Sequence, residues 1–226
     1  MIKKRIERIG KIILVCCLVG FTYSCTPEDG INGVDGIDGV DGIDGIDGAD
    51  GVGFDELTKY GSISTTLTGT RVDGAAFTQS DLYKFTPVTN PSYFNSVEKS
   101  GADLEFKVGR FISAPDDVFQ YSSVIINLKV TDAGLETQSF DLNNTINELT
   151  VVSDDLKFFT FSGSGWNDTS TGVTNMNVTD YSYDDVTKNL KFSFSYNVAA
   201  ANNNTQNDLT VSGSVDVFVL ESIDLR

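Results

Sequence analysis

The feature that most constrains the fold is an alternation of apolar and polar residues that begins beyond Phe54. In the segment LKFSFSYNV, at 190–198, large apolar side chains occupy almost every second position. The same two-residue period recurs in VIINLKV at 124–130 and in LTVSGSVDVFVL at 209–220. Because successive side chains of a strand point to opposite faces, this pattern is typical of half-buried antiparallel strands.

Less regular segments predict further strands, and turn-forming residues separate them. The candidate strands lie at 62–68, 82–85, 104–112, 137–140, 156–161 and 176–183, and the turn signals lie at 132–134, 184–185 and 202–207. Short helical turns are expected at 114–119 and 143–149, where the alternation lapses. About nine strands with little helix predict an all-β fold for residues 54–226, either an antiparallel β-sandwich or a soluble β-barrel.

The first 24 residues have the three-part layout of a secretory signal. A basic stretch is followed by an apolar run from Ile12 to Phe21, and then by small or polar residues up to Cys25. The apolar run is much shorter than the roughly twenty residues that a membrane-spanning helix needs. We therefore expect residues 1–24 to act as a signal peptide.

The segment FTYSC, at 21–25, resembles a bacterial lipobox. Ser24 and Cys25 match that motif, and Thr22 stands where the family usually has leucine. The resemblance implies that Cys25 becomes the lipidated N-terminus and that its acyl chains hold the protein on a membrane. All three cysteines lie within the first 25 residues, so the sequence predicts no internal disulfide in the mature chain.

The residues after Cys25 bear on the membrane that the lipid would enter. In Gram-negative lipoproteins, an aspartate directly after the cysteine often signals inner-membrane retention, whereas Thr26 follows here. Glu28 and Asp29 are similar to the short acidic tracts that direct some of these lipoproteins outward. The resemblance implies an outer-membrane lipoprotein at the cell surface, with a periplasmic orientation as the alternative.

Residues 30–51 repeat glycine at every third position. These triplets resemble the collagen-like G-X-Y repeat, in which only glycine fits the crowded axis of a triple helix. The triplets contain none of the proline that stiffens collagens. We expect residues 25–53 to be a tether that holds the next domain away from the membrane, either as the flexible linker of a monomer or as a collagen-like homotrimer.

Aspartate fills most of the third positions of this repeat. The residues concerned are Asp35, Asp38, Asp41, Asp44, Asp47 and Asp50. Carboxylate oxygens suit calcium or magnesium, whereas the absence of histidine from the chain argues against zinc and copper. Calcium is therefore the cation that these aspartates would bind, although their three-residue period differs from that of ordinary calcium loops. No other cofactor is expected.

The charge balance restricts the classes of partner. Loss of residues 1–24 would remove five basic residues and one acidic residue, leaving 11 basic and 31 acidic residues and a net charge of −20. Nucleic-acid binding requires clustered lysine and arginine, so it is not expected. The expected partners are the membrane, through the lipid anchor, and a glycan or protein at the cell surface.

Few residues point to catalysis. A chain without histidine has no Ser-His-Asp triad. Paired carboxylates hydrolyse glycosides in some enzymes, but the acidic doublets at 116–117, 154–155 and 184–185 are typical of turns and helix starts. We predict no catalytic residue and expect a protein that is not an enzyme.

One segment, SGSGWNDTSTG, places the only tryptophan among small and polar residues. In a surface loop, Trp166 would stack on a sugar while Asn167 and Asp168 bind its hydroxyl groups. The alternative is that Trp166 folds back and caps the core. Residues 1–53 are similar to the N-terminal part of bacterial lipoproteins with collagen-like repeats, which implies a structural or adhesive role. A carbohydrate-binding accessory protein and a glycoside hydrolase are the alternatives, in that order.

Overall fold

The computed structural model describes residues 57–87, 90–113 and 121–223. The signal sequence, Cys25 and the glycine repeat lie outside these residues. So do the doublet at 116–117 and the helical turn predicted at 114–119.

Within the described residues, two β-sheets pack face to face as a sandwich. The strands are β1 (Gly61–Thr70), β2 (Ala76–Tyr83), β3 (Asn95–Ser100), β4 (Asp103–Phe111), β5 (Ser123–Thr131), β6 (Ser139–Val152), β7 (Phe158–Trp166), β8 (Val173–Asp184), β9 (Asn189–Val198), β10 (Leu209–Phe218) and β11 (Leu220–Glu221), with one short helix, α1 (Pro91–Phe94), and a 3-10 turn (Ala200–Asn202). The first sheet has the order β2-β1-β10-β9-β8, and the second has the order β11-β3-β4-β5-β6-β7. Strand β11 runs parallel to β3, and the other neighbouring strands are antiparallel. No helix in the described part of the chain is long and apolar enough to cross a membrane.

The alternation predicted from the sequence is confirmed in the core between the sheets. In β9, Leu190, Phe192, Phe194 and Tyr196 are buried, whereas Lys191 is exposed. Each large apolar side chain that is fully removed from water contributes about 1.5–3 kcal/mol. Burial of these alternate rows therefore holds the two sheets together.

The helical turn predicted at 143–149 is wrong, because this segment lies inside β6. The buried residues Leu142, Asn144 and Ile146 are followed by Leu149, so burial changes from even to odd positions. The change coincides with a register shift against β7, where Glu148 has φ 45°. A β-bulge inserts an extra residue into one strand and thereby reverses its alternation.

The two ends of the sandwich carry different parts of the chain. Strand β1 begins at Gly61, which pairs with Val217 near the end of β10; we name this end the near pole. The opposite end, the far pole, carries the β1–β2 turn at 71–75, the β6–β7 turn at 153–157 and the β9–β10 loop at 199–208. The length of β1 separates the poles by about 30 Å, because a strand rises roughly 3.3 Å per residue.

Arg110, at the near pole, is a charged residue whose side chain is fully buried. Its guanidinium donates to the carbonyl oxygens of Tyr60 (2.8 Å), Gly61 (3.1 Å) and Phe94 (3.3 Å), and to Oδ1 of Asn95 (3.0 Å). Burial lowers the pKa of Arg110 to about 9, so the side chain is still charged at neutral pH. The arginine fastens the start of β1 to α1 and to the second sheet.

Candidate interaction site at the far pole

The β6–β7 hairpin ends in an exposed leucine with a strained backbone. The Ser153 N–H donates to the Lys157 carbonyl, and the Leu156 N–H donates to the Ser153 carbonyl, both over 2.9 Å. In short hairpin loops of this kind, one residue adopts the left-handed region, which favours glycine. Leu156 has φ 60° and is 91% exposed. Left-handed backbone costs a residue with a β-carbon about 1–2 kcal/mol, and almost none of this side chain is buried in compensation.

Leu156 belongs to a group of exposed apolar side chains at this pole. Phe158, which is 73% exposed, begins β7 and lies opposite the exposed Val152 at the end of β6. Val72, in the β1–β2 turn, is also exposed and lines a cleft together with Phe158. We name Val72, Val152, Leu156 and Phe158 the apolar tip. Large exposed apolar patches on soluble proteins mark interaction sites, whereas scattered single residues do not.

An ion cluster beside the apolar tip joins the two turns that carry it. Arg71 donates to both carboxylate oxygens of Asp73, over 2.9 and 2.7 Å, and to both oxygens of Asp155, over 2.7 and 2.8 Å. Lys157 Nζ lies 3.0 Å from Asp73 Oδ2. Bidentate pairing of a guanidinium with a carboxylate fixes both distance and orientation. The β1–β2 turn and the β6–β7 hairpin are therefore held in one arrangement.

The ion cluster changes the acidity of its carboxyl groups. Hydrogen bonds from Arg71 lower the pKa of Asp155 to about 2. Hydrogen bonds from Arg71 and Lys157 hold the pKa of Asp73 well below its usual range. The positive charges of Arg71 and Lys157 balance the negative charges of Asp73 and Asp155 at neutral pH. The ion cluster beside the apolar tip therefore has no net formal charge, in an otherwise acidic protein.

A cleft of about 230 Å³ lies between Phe158 and the β9–β10 loop. Asn204 Nδ2, from this loop, donates to the Thr160 carbonyl of β7 over 2.7 Å. Asn207 Nδ2 donates to the Arg71 carbonyl over 3.2 Å. These bonds tie the loop to both sheets, so the far pole presents a pre-formed surface rather than three independent loops.

The structure places Trp166 in the core, 6% exposed. Its ring centroid lies 5.7 Å from those of Phe161 and Tyr196. Gly163 provides the space, because a β-carbon there would lie 1.9 Å from the indole. Of the two predictions for this residue, the core position is confirmed. An indole buried to this extent leaves little ring surface on which a sugar could stack.

Asn167 and Asp168 follow Trp166 in the β7–β8 turn. Asn167 Oδ1 accepts hydrogen bonds from the Thr169 N–H over 3.0 Å and from Ser170 Oγ over 3.1 Å, so it serves the turn itself. Asp168 is exposed. Sugar binding by these two residues stays a prediction, now without the support of Trp166.

Two of the acidic doublets lie at turns, as predicted. Asp155 joins the β6–β7 hairpin to Arg71. Asp184 Oδ1 accepts a hydrogen bond from the Val186 N–H over 2.8 Å, and Asp185 pairs with Lys188 over 2.7 Å. These carboxylates therefore have structural partners.

The other predicted site residues lie outside the described residues. Lipid attachment at Cys25 and calcium binding by Asp35, Asp38, Asp41, Asp44, Asp47 and Asp50 stay predictions. Among residues 57–87, 90–113 and 121–223, no three histidine, cysteine, aspartate or glutamate side chains gather as a metal-binding group.

Sequence reasoning missed the two residues that define the far pole. Arg71 gave no signal, because its partner Asp155 is 84 positions away in the chain. Leu156 did give one, because it is the only apolar residue in the turn sequence SDDLK at 153–157. The signal is weak, because a single exposed apolar residue does not by itself mark an interaction site.

Comparison with known proteins assigns no relative. No protein-family model matches the chain, and no curated protein or solved structure matches it.

Proposed function

We propose that this protein is a lipid-anchored envelope protein that displays its β-sandwich at the cell surface as a non-catalytic, adhesive or structural interaction module. In this proposal Cys25 carries the lipid and residues 26–53 hold the sandwich away from the membrane. The sandwich binds its partner through the apolar tip.

The observation that carries the proposal is the position of the apolar tip. The described chain enters the sandwich at the near pole, and the tip lies at the opposite end of β1. The apolar tip and the entry of the described chain therefore lie at different ends of the sandwich. Leu156 is exposed in spite of its backbone strain, which is the pattern expected of a residue retained for binding rather than for stability.

The anchor is tested by mass spectrometry of the protein isolated from its own membranes. We expect a chain that begins at Cys25 with acyl groups on the sulfur, and external protease should remove the sandwich from intact cells. A chain without acyl groups, or one that keeps residues 1–24, would contradict the anchor.

The apolar tip is tested by an adhesion assay. Beads coated with the full-length protein are mixed with cells of the bacterium that normally makes it, after deletion of its gene from those cells. The double variant Leu156→Asn, Phe158→Ser should lose most of this adhesion, because both exposed anchors are gone. The matched control is Val186→Asn, since Val186 is also 91% exposed but lies in the β8–β9 turn at the near pole. Equal adhesion of the double variant and the wild type would rule out the tip as the binding surface.

A further inference from the structure

Strand β2 breaks the rule that inward-facing residues of a sandwich are apolar. Its inward row consists of Phe77, Gln79, Asp81 and Tyr83, and only the first and last of these are fully buried apolar or aromatic residues. Opposite Asp81 in the β1–β2 register lies Thr65, which is also buried. A patch of polar side chains therefore occupies the inner face of the first sheet near its β2 edge.

One polar atom of this patch, Asp81 Oδ2, has no hydrogen-bond partner. The hydroxyls of Thr65 and of Ser122, the residue before β5, hydrogen-bond with the buried Tyr83 hydroxyl. Burial raises the pKa of the partly buried Asp81 and that of the fully buried Tyr83. A buried polar atom without a partner costs about 1–3 kcal/mol, and native proteins leave few of them. Asp81 Oδ2 therefore offers a hydrogen-bond acceptor that a ligand hydroxyl would fill.

The patch opens into a cleft of about 350 Å³ between the two sheets. Asp81 and Ser122 line this inter-sheet cleft together with Thr150 and Thr160 of the second sheet and with Glu148. Its volume lies at the small end of the range of about 300–1,000 Å³ that is typical of ligand pockets. Glu148 stands at the β6 bulge with φ 45°, and bulges are frequent beside functional sites.

An exposed aromatic ring also lines the inter-sheet cleft. Tyr121 is 67% exposed. An aromatic ring that combines an apolar face with a polar hydroxyl is suited to ligands that have both kinds of surface. The cleft therefore joins a stacking surface to a wall of carboxylate and hydroxyl groups.

The chemistry of the lining restricts the ligand. Asp81 and Glu148 would repel an anion, as would the strongly acidic chain as a whole. Asp81 Oδ2 accepts hydrogen bonds, and the lining residues Ser122, Thr150 and Thr160 carry hydroxyls, which both donate and accept them. A calcium ion takes six to eight oxygen ligands and is served mainly by carboxylates and carbonyls. Hydroxyl groups on a ring with an apolar face match this lining better than a cation does.

We propose that the inter-sheet cleft binds a neutral sugar unit, with Tyr121 stacked on the ring and Asp81 and Ser122 hydrogen-bonded to its hydroxyl groups. The site is separate from the apolar tip and does not depend on it. It also replaces Trp166 with Tyr121 as the aromatic residue that contacts the sugar.

The first test is binding of the full-length protein to an array of neutral and acidic glycans. We expect signals for neutral glycans only. An array on which no neutral glycan binds, or on which acidic glycans bind more strongly, would overturn the proposal. Adhesion through the apolar tip could persist in either case, so the two proposals fail separately.

The second test is titration of the best neutral glycan against variants of the cleft. Tyr121→Ala and Asp81→Ala should each weaken binding by about tenfold or more, whereas Tyr121→Phe keeps the ring and should bind nearly as well as the wild type. Tyr93→Ala, which alters an exposed tyrosine of α1 outside the cleft, is the matched control. Circular dichroism checks that each variant is folded. If Asp81→Ala is unstable, Tyr121→Ala still tests the site, because Tyr121 is exposed and its removal should not affect folding. Unchanged affinity in Tyr121→Ala would overturn the proposed site.

Discussion

Arg71 and Arg110 hold opposite poles of the sandwich in opposite ways. Arg71 pairs with two half-exposed carboxylates, Asp73 and Asp155. Arg110 is fully buried and donates to neutral oxygens, chiefly main-chain carbonyls such as those of Tyr60 and Gly61. The pairing raises the pKa of Arg71, whereas burial lowers that of Arg110.

The difference shows that a buried guanidinium serves two purposes in this fold. At the far pole, removal of Arg71 leaves carboxylates that water can still reach. At the near pole, removal of Arg110 leaves oxygens such as Gly61 O and Asn95 Oδ1, which surround a fully buried side chain, without the donor that it supplied. The near-pole arginine should therefore matter more for stability, and the far-pole arginine should matter more for the shape of the apolar tip.

Arg110→Met should have the largest effect on stability. We expect the free energy of unfolding to fall by about 2–4 kcal/mol, because Gly61 O, Phe94 O and Asn95 Oδ1 lose the donor that Arg110 supplies, and each buried polar atom without a partner costs about 1–3 kcal/mol. Urea denaturation measures this loss. Lys107→Met, in the same strand but partly exposed, is the control. A loss no larger than that of the control would show that the main-chain carbonyls do not depend on Arg110.

Arg71→Met should destabilise the protein by less than half as much as Arg110→Met, because Asp73 and Asp155 remain hydrated. Its main effect should be on the far pole, where the two turns lose their link. Hydrogen exchange should increase at 71–75 and 153–157 while the near pole is unchanged. Equal exchange at both poles would contradict the assignment of Arg71 as a local clamp.

Acid should distinguish the two arginines further. Asp155 has a folded-state pKa of about 2 against an ordinary value of 3.8, so its contribution is present above about pH 4 and is lost as the pH falls through 2. The difference in Tm between the wild type and Arg71→Met should therefore narrow from pH 5 to pH 2. The difference for Arg110→Met should stay constant, because Arg110 is charged throughout this range. Parallel changes in both variants would contradict this reasoning.

Leu156→Asn should have the smallest effect, with the opposite sign. Asparagine tolerates the left-handed backbone better than leucine, so we expect a stabilisation of up to about 1 kcal/mol. Val186→Asn, with equal exposure and without a positive φ, should leave stability unchanged within about 0.5 kcal/mol. A stability gain combined with the loss of adhesion would identify Leu156 as retained for binding. A stability loss would show that Leu156 packs more than its exposure indicates.

Much of the sandwich follows from local alternation, and the failures have identifiable causes. Strands β5, β9 and β10 were predicted because their inward residues are apolar throughout. Strand β6 was missed beyond its first residues because Asn144 occupies an inward position, where its Nδ2 donates to the Tyr196 hydroxyl over 3.0 Å. The bulge at Glu148 then reversed the alternation. Strand β3 was missed because its exposed half, Glu98–Ser100, is entirely polar.

The candidate sites were less accessible to sequence reasoning because they depend on contacts between distant segments. The inter-sheet cleft joins Asp81 of β2 to Tyr121 and Glu148, and no spacing in the sequence relates these residues. Trp166, the only tryptophan, was a candidate sugar-binding residue. Its place in the core follows from Gly163, whose missing side chain makes room for the indole. Polar residues within strands, such as Asp81, were the more informative exceptions.

The position of β1 has a mechanical consequence. It runs between β2 and β10 with partners along its whole length. A pull between the incoming chain at Gly61 and a partner held at the far pole would act along this strand, so its hydrogen bonds would share the load in shear instead of breaking one after another. Arg110, from β4, would transmit part of that force to Phe94 and Asn95. We therefore expect β1 and Arg110 to carry most of the force when the tethered protein is under tension.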